Sequence, residues 1–248
     1  MLGIVVALSW ERKTLTRQRI VPGSCRRIND GVCMALSGIG AARSHAAAEL
    51  LLSQGATGLL SWGFAGALND GLKPGTVMLP RSVIGATGDT YPVSAEWHRQ
   101  LYRVLVSRIP VATDSLLETA MIVERPDAKR RLARHTRASA VDMESGAVAR
   151  LASARNIPFV VVRVITDTVS SVIPKSVVQA LDASGAVKLP SCVTRAFLRP
   201  ADALAMIKLA MHFKAARTSL KRASAPVLEA SRLYLDSLST TGTSVTRP

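Results

Sequence analysis

The sequence predicts an α/β domain built around a mainly parallel or mixed sheet. Three observations predict it. Short apolar runs rich in Val, Ile and Leu alternate with stretches of helical periodicity along most of the chain. Several of these runs end in glycine-punctuated or acidic bends, and the carboxyl ends of sheet strands are where such folds bind ligands. The chain has 248 residues, 48% of them hydrophobic, which is enough for one large core. With aromatics at only 4%, that core has to be built from Ala, Val, Leu and Ile.

The elements follow in order. Leu2 to Leu8 reads as a buried first strand and leads into a helix that contains Glu11 and Leu15. Pro22 to Gly31 is turn-rich, and Val32 to Leu36 is a second strand. Ser37-Gly38-Ile39-Gly40 links that strand to a helix over Ala41 to Ser53, with Ala46, Ala47, Leu50 and Leu51 at helical spacing. Thr57 to Ser61 is a third strand, followed by a bend through Trp62-Gly63-Phe64-Ala65-Gly66. After a turn at Gly71 to Gly75, a strand is expected over Thr76 to Ile84, then a loop over Gly85 to Pro92. A helix over Ala95 to Ser107, a short strand at Val111 to Thr113 and an exposed basic helix over Pro126 to His135 come next. The stretch from Ala140 to Thr168 then reads strand, acidic bend, helix, buried strand, acidic bend, with its helix over Ser145 to Arg155. It delivers Asp142, Glu144 and Asp167 to strand ends, and Glu11 lies just past another. A short helix is expected over Pro174 to Leu181. A basic amphipathic helix runs from Ala201 to Arg222 within an extension over 199–238, and it suits either docking on the domain or lying on a membrane surface. The Ser/Thr/Gly-rich end, 239–248, reads as disordered.

Charge and cysteine content narrow the function classes. The net charge of +15 favours anionic partners, such as phosphate compounds or an anionic membrane face. No dense Lys/Arg run is interleaved with aromatics, so no nucleic-acid partner is expected. Cys25, Cys33 and Cys192 lack metal-ligand spacing and read as free thiols of a reducing cytoplasm, and no metal is expected. No leader pattern and no membrane-length apolar run appear. His45, His98, His135 and His212 lie on expected helices, away from any nucleophile elbow, which argues against a Ser-His-Asp hydrolase. Gly38 and Gly40, with Arg43 just beyond, form a weak candidate site for phosphate or another anion.

Six segments in order carry a resemblance over roughly residues 1–198. They are Gly3-Ile-Val-Val-Ala-Leu with Glu11; Ser37-Gly-Ile-Gly; Gly63-Phe-Ala-Gly-Ala-Leu; Leu72-Lys-Pro-Gly; Val141-Asp-Met-Glu-Ser; and Pro158-Phe-Val-Val-Val-Arg with Thr166-Asp167. Together they resemble the nucleoside phosphorylase/nucleosidase superfamily, and within it the methylthioadenosine/S-adenosylhomocysteine nucleosidases. Ser61-Trp-Gly, Val141-Asp-Met-Glu-Ser and a basic tail after Lys-Leu-Pro are similar to the hopanoid-associated phosphorylases, or adenosylhopane nucleosidases. The resemblance implies a three-layer αβα fold with a central mixed, partly barrel-like sheet, and a catalytic domain over 1–198. It also implies cleavage of the N-glycosidic bond of an adenine nucleoside, no cofactor beyond phosphate as a conceivable co-substrate, and a homodimer or larger assembly. The location implied is cytoplasmic, with peripheral contact at an anionic membrane.

The residue roles it implies have a physical basis. Bond breaking puts positive charge on the ribose and negative charge on the base. Asp167 stands where the family's acid protonates the departing base at N7, and a buried strand end supplies desolvation for it. Glu11 stands where the nucleosidases activate water. Met143 and Glu144 match the pair that packs on the sugar and accepts its hydroxyls, with Asp142, Thr166, Gly63, Phe64, Ala65 and Gly66 lining the site and Leu116 near the base. The chain also departs from the pattern. The bend at Ser61-Trp62-Gly63-Phe64 lacks the Arg and Ser of some phosphorylases, which favours hydrolysis. The loop over Arg81 to Ser94 is shorter than in the nucleosidases and leaves the 5′ side open, which suits a bulky apolar group such as a hopane skeleton. A methylthioadenosine/S-adenosylhomocysteine nucleosidase, a purine nucleoside phosphorylase and a non-catalytic lipid or nucleoside binder are the alternatives.

Overall fold

The fold turns on one long strand. In the computed structural model, which describes residues 1–174 and 200–242, strand β4 (Gly58–Ala67) has ten residues and three partners. Its first half pairs in parallel with β1 (Leu2–Val6), Leu2 opposite Gly58 and Val5 opposite Ser61. Its far end pairs antiparallel with β10 (Ala140–Asp142), Val141 opposite Gly66. On its other side β11 (Phe159–Asp167) runs parallel to it almost throughout, from Phe159 opposite Leu59 to Asp167 opposite Gly66. The apolar run of β11 is buried on both faces, as expected of a central parallel strand.

The remaining strands extend the sheet from this centre. Strand β3 (Val32–Leu36) lies beyond β1, with β2 (Ser24–Asn29) antiparallel to it at the edge. On the other side β10 leads to β9 (Leu116–Glu118), β6 (Ser82–Ile84) and β7 (Thr90–Pro92), while β11 leads to β5 (Val77–Met78) and β8 (Val111–Ala112). The edges β2, β7 and β8 do not pair with one another, so the mixed sheet stays open and its barrel-like character is partial. Helices α2 (Ala41–Ser53) and α5 (Ser145–Ala154) pack against each other and the sheet as one group. Helices α1 (Ser9–Leu15) and α3 (Ala95–Val106) pack with α6 (Pro200–Gly242) as another. Helix α4 (Pro126–Thr136) starts with Pro126 and closes on Arg137 at φ 58°; its Leu132 and Ala133 cover a small second core of Leu68, Leu117, Ala138 and Val141.

Several sequence expectations need amendment. The turn-rich stretch Pro22–Gly31 contains β2, because Gly31 at φ +83° turns the chain back along β3. The strand expected over Thr76–Ile84 is two, β5 and β6, which pair with different neighbours across Leu79-Pro80-Arg81. The loop expected over Gly85–Pro92 contains β7, hairpin-paired to β6. Strand β9 was not expected at all. The glycine bend at 62–66 is not a bend: β4 continues through it, held in register by β11. The helix expected over Pro174–Leu181, Cys192 and residues 243–248 of the expected disordered end lie, apart from Pro174, outside the described residues.

Helix α6 docks on the core. Ala216, Leu220, Ala223, Val227, Ala230 and Tyr234 recur at alternating four- and three-residue steps, and all are buried. Tyr234 stacks on Trp97 of α3 with ring centroids 5.1 Å apart, and Trp97 Nε1 donates to Ser231 Oγ at 3.0 Å. The helix runs to Gly242, so residues 239–242 are helical. Lys208, Lys214, Arg217, Lys221 and Arg222 remain exposed. Among the described residues, no helix is long and apolar enough to cross a membrane. Because Leu220 is fully buried in the main core, Leu220→Ala should cost about 2–5 kcal/mol. Denaturant unfolding checks this as a lower midpoint at unchanged slope, whereas a helix lying loosely on the surface would show a change within about 0.5 kcal/mol.

Candidate active site

The site begins with a charge in the wrong place for an ordinary strand. Arg163 is the one ionisable residue in the apolar run of β11 before Asp167, and it is 1% exposed. Burying a guanidinium demands counter-charge and hydrogen bonds. Its Nε donates to Asp142 Oδ2 at 2.8 Å. Its Nη2 donates to Ser61 Oγ at 2.9 Å and Ser145 Oγ at 3.1 Å, and lies 3.8 Å from Glu144 Oε2. Its Nη1 lies 3.8 Å from Glu11 Oε1 and has no hydrogen-bond partner among the described residues. Gly63 makes room for this group: a Cβ there would overlap both the guanidinium and the Glu11 carboxylate.

Glu11 is fixed from three sides. Its Oε2 accepts the backbone N–H groups of Ala7 and Leu8, each at 2.8 Å, and its Oε1 accepts that of Phe64 at 3.0 Å. Burial raises its pKa above the ordinary 4.5, against the pull of Arg163 and those backbone donors. Glu144 Oε1 accepts the N–H of Gly40 at 3.0 Å. Burial pushes Glu144 up to about 8; Arg163 opposes the rise, and Asp142 and Glu11 add to it. Three carboxylates thus surround one guanidinium.

Asp167 sits in an adjoining cluster, opposite Gly66, three residues beyond Gly63 and so about 10 Å along β4. The structure surrounds it differently from the apolar strand end expected. The ammonium of Lys129 contacts Asp167 Oδ2, with Lys129 1% exposed and Asp167 nearly as buried. Lys129 also donates to the carbonyls of Thr168 (2.9 Å) and Ser171 (3.4 Å). Thr166 Oγ1 lies 3.0 Å from Asp167 Oδ1 and 3.2 Å from the Ala65 carbonyl. Helix α4 is therefore not the wholly exposed helix that its sequence suggests.

Glu11, Asp142 and Glu144 are brought together around Arg163, and Asp167 stands apart from them at the end of β11. The route is not the shared strand edge expected: β10 runs antiparallel to β4, so Asp142 and Glu144 arrive from the opposite direction. Asp142 is engaged by Arg163 and by Ser145 at the start of α5, and so serves the framework instead of a ligand. Met143, beside Glu144, is half-buried, as are Phe64 and Gly66, while Gly63 and Ala65 are buried within β4. Leu116 is fully buried between β6 and β10, which leaves it no surface for a base. The candidate anion site dissolves: Gly40 N–H already serves Glu144, Gly38, at φ +84°, uses its carbonyl to accept from Ser37 Oγ, and Arg43 is exposed and bonded to Ile39 of its own turn. No group of three or more His, Cys, Asp or Glu suited to a metal occurs among the described residues.

Four contributors escaped the sequence reading. Arg163 had a legible signal, an arginine inside a run too apolar to face water. Lys129 had none, since the helix around it is basic throughout. Glu118 is buried, accepts the Ala147 N–H at 2.7 Å, and has its pKa raised by burial. Phe213 of α6 lies 5.1 Å from Phe64 and 6.2 Å from Trp10 between ring centroids, making an aromatic wall beside Glu11.

An open mixed sheet with two groups of helices and a carboxylate-lined strand centre defines a nucleoside phosphorylase-like α/β fold. The chain belongs to the Phosphorylase superfamily, whose family pattern matches residues 6–188. Solved structures share the fold. The Helicobacter pylori 5′-methylthioadenosine/S-adenosylhomocysteine nucleosidase has a TM-score of 0.70 at 16% identity, over 92% of this chain and 97% of that one. Futalosine hydrolase of Helicobacter pylori gives the same values. The Neisseria meningitidis methylthioadenosine/S-adenosylhomocysteine nucleosidase gives 0.70 at 17% identity, over 92% and 98%. No curated protein matches the sequence.

The excess of carboxylates has a measurable cost. A carboxyl whose pKa rises on folding binds its proton more tightly in the folded chain, so folding stability falls as pH climbs from 4.5 toward about 8. Glu144→Gln removes that charge. The variant should melt at a higher temperature than wild type near about pH 9 and at nearly the same temperature near about pH 4, as read by thermal unfolding across the range.

Proposed function

We propose that the protein hydrolyses the N-glycosidic bond of an adenine nucleoside. One observation carries this reading: Glu11 Oε1 and Arg163 Nη1 face each other at 3.8 Å, and Nη1 has no hydrogen-bond partner among the described residues. A water held near both would be oriented by the guanidinium and deprotonated by the carboxylate. Glu11 is suited to this because burial makes it more basic than an exposed carboxylate. Glu144 binds the ribose hydroxyls. Met143 packs against the sugar. Asp167, one nucleoside length away along β4, delivers a proton to N7 so that adenine departs neutral.

The substrate proposed is adenosylhopane, cleaved to adenine and ribosylhopane during hopanoid synthesis. Its support is the aromatic wall of Trp10, Phe64 and Phe213 beside Glu11, which suits an apolar 5′ substituent. The exposed lysines and arginines of α6 suit recovery of a lipid nucleoside from an anionic membrane face. The solved nucleosidases of like fold make 5′-methylthioadenosine and S-adenosylhomocysteine the first alternative substrates.

Product analysis by mass spectrometry tests this. Adenine release from adenosylhopane should proceed at the same rate with and without phosphate and yield the free sugar; a sugar 1-phosphate would identify phosphorolysis instead. Faster cleavage of methylthioadenosine would transfer the assignment to the small nucleosides, and no cleavage of any nucleoside would leave a binder. Glu11→Gln and Asp167→Asn should each lower kcat by about 100-fold or more. Because Glu11 must be ionised to accept a proton and its pKa is raised, the acid limb of kcat/KM should lie above the ordinary carboxylate range, with activity falling as pH drops through it.

A further inference from the structure

Lys129 is the one fully buried residue of helix α4, and the water-activating half of the site makes no use of it. A lone buried ammonium is costly, so its placement calls for a reason. Its contacts supply one. Its three N–H donors reach Asp167 Oδ2 and the carbonyls of Thr168 and Ser171, which leaves none to meet a substrate. Whatever Lys129 does for the reaction, it does through Asp167. The carboxyl, meanwhile, has to part with a proton, yet both its oxygens are already met by donors, Lys129 at Oδ2 and Thr166 near Oδ1. An ammonium in contact with a carboxylate holds one proton between two bases, and the ammonium–carboxylate and amine–carboxylic acid forms have the same net charge.

We propose that Lys129 is a positioning residue that stores the proton Asp167 gives to the leaving base. The inference rests on the nucleosidase reading above. An Nζ–H bond breaks as an O–H bond forms at Oδ2, leaving a neutral amine beside a carboxylic acid. The electron pair of the glycosidic bond moves onto the base as that bond breaks. The carboxyl O–H bond then breaks as an N–H bond forms on the base, regenerating the carboxylate. Lys129 recovers its proton from water after the base leaves, and this balances the proton that Glu11 takes from the attacking water. Holding Thr168 and Ser171 at the same time, the lysine also fixes the carboxyl at the end of β11.

The test compares two leaving groups in the same preparation of each variant, because their ratio does not depend on the folded fraction. One substrate is the adenine nucleoside that wild type cleaves; the other is 4-nitrophenyl β-D-riboside, whose nitrophenolate departs without a proton. Lys129→Met removes the charge, and Lys129→Arg keeps the charge but cannot release its proton. Both should lose about 100-fold or more in kcat on the nucleoside with KM changed by less than about threefold, and the loss on the nitrophenyl riboside should be at least about tenfold smaller. Asp167→Asn should show the same pattern, and Lys129→Arg should add nothing to it. Equal losses on both leaving groups, additive losses in the double variant, or full rescue by Lys129→Arg would overturn the proposal and leave Lys129 a purely structural ion pair. Should the nitrophenyl riboside not be cleaved by wild type, the double variant decides alone. Wild type that releases no base from any nucleoside would overturn the nucleosidase reading itself, an outcome distinct from an active wild type matched by its lysine variants.

Discussion

Arg163 is buried in the middle of the sheet, and its charge must be answered where it stands. Asp142 and Glu144 from one segment and Glu11 from another, distant one meet it there, and Ser61 and Ser145 take up remaining donors. The elements that carry these residues are thereby tied to β11. Gly63 has to lack a side chain to leave the guanidinium its space. The antiparallel course of β10, which breaks the parallel pattern, returns Asp142 and Glu144 to the same guanidinium.

The same arrangement pairs the carboxylates unequally. Of the three carboxylates, Asp142 makes the close ion pair, and Glu11 and Glu144 stand farther off at 3.8 Å. Burial, with repulsion from Asp142 and Glu11, raises the pKa of Glu144, and burial raises that of Glu11. The lysine–aspartate pair forms a second polar centre farther along β4, opposite Gly66, while the arginine cluster gathers around Gly63.

Helix α6 joins the two themes of packing and access. One stripe of it completes the core against α3 and β11, and Phe213 reaches the aromatic residues beside Glu11. The helix is part of the wall of the site as well as part of the fold, and its basic outer face stays in solvent.

Local pattern was enough for much of this. Val32–Leu36 and Ala41–Ser53 were legible to the residue, because an apolar run or a helical period depends on the chain's own spacing. Glu11, Glu144 and Asp167 were legible as a set from their segments, and Arg163 could have been read from its misfit in an apolar strand. The short strands β7 and β9, and the continuation of β4 through its glycines, were not, because pairing partners decide them and those partners lie far away in the chain. Leu116 and Arg43 looked available until packing buried the one and turned the other back on its own helix. The sequence alone determined the α/β alternation, since periodicity is a local property. Only the tertiary structure decided which cation each carboxylate meets, Arg163 for three of them and Lys129 for Asp167, because a buried ion pair is selected by distances between segments that no local pattern encodes.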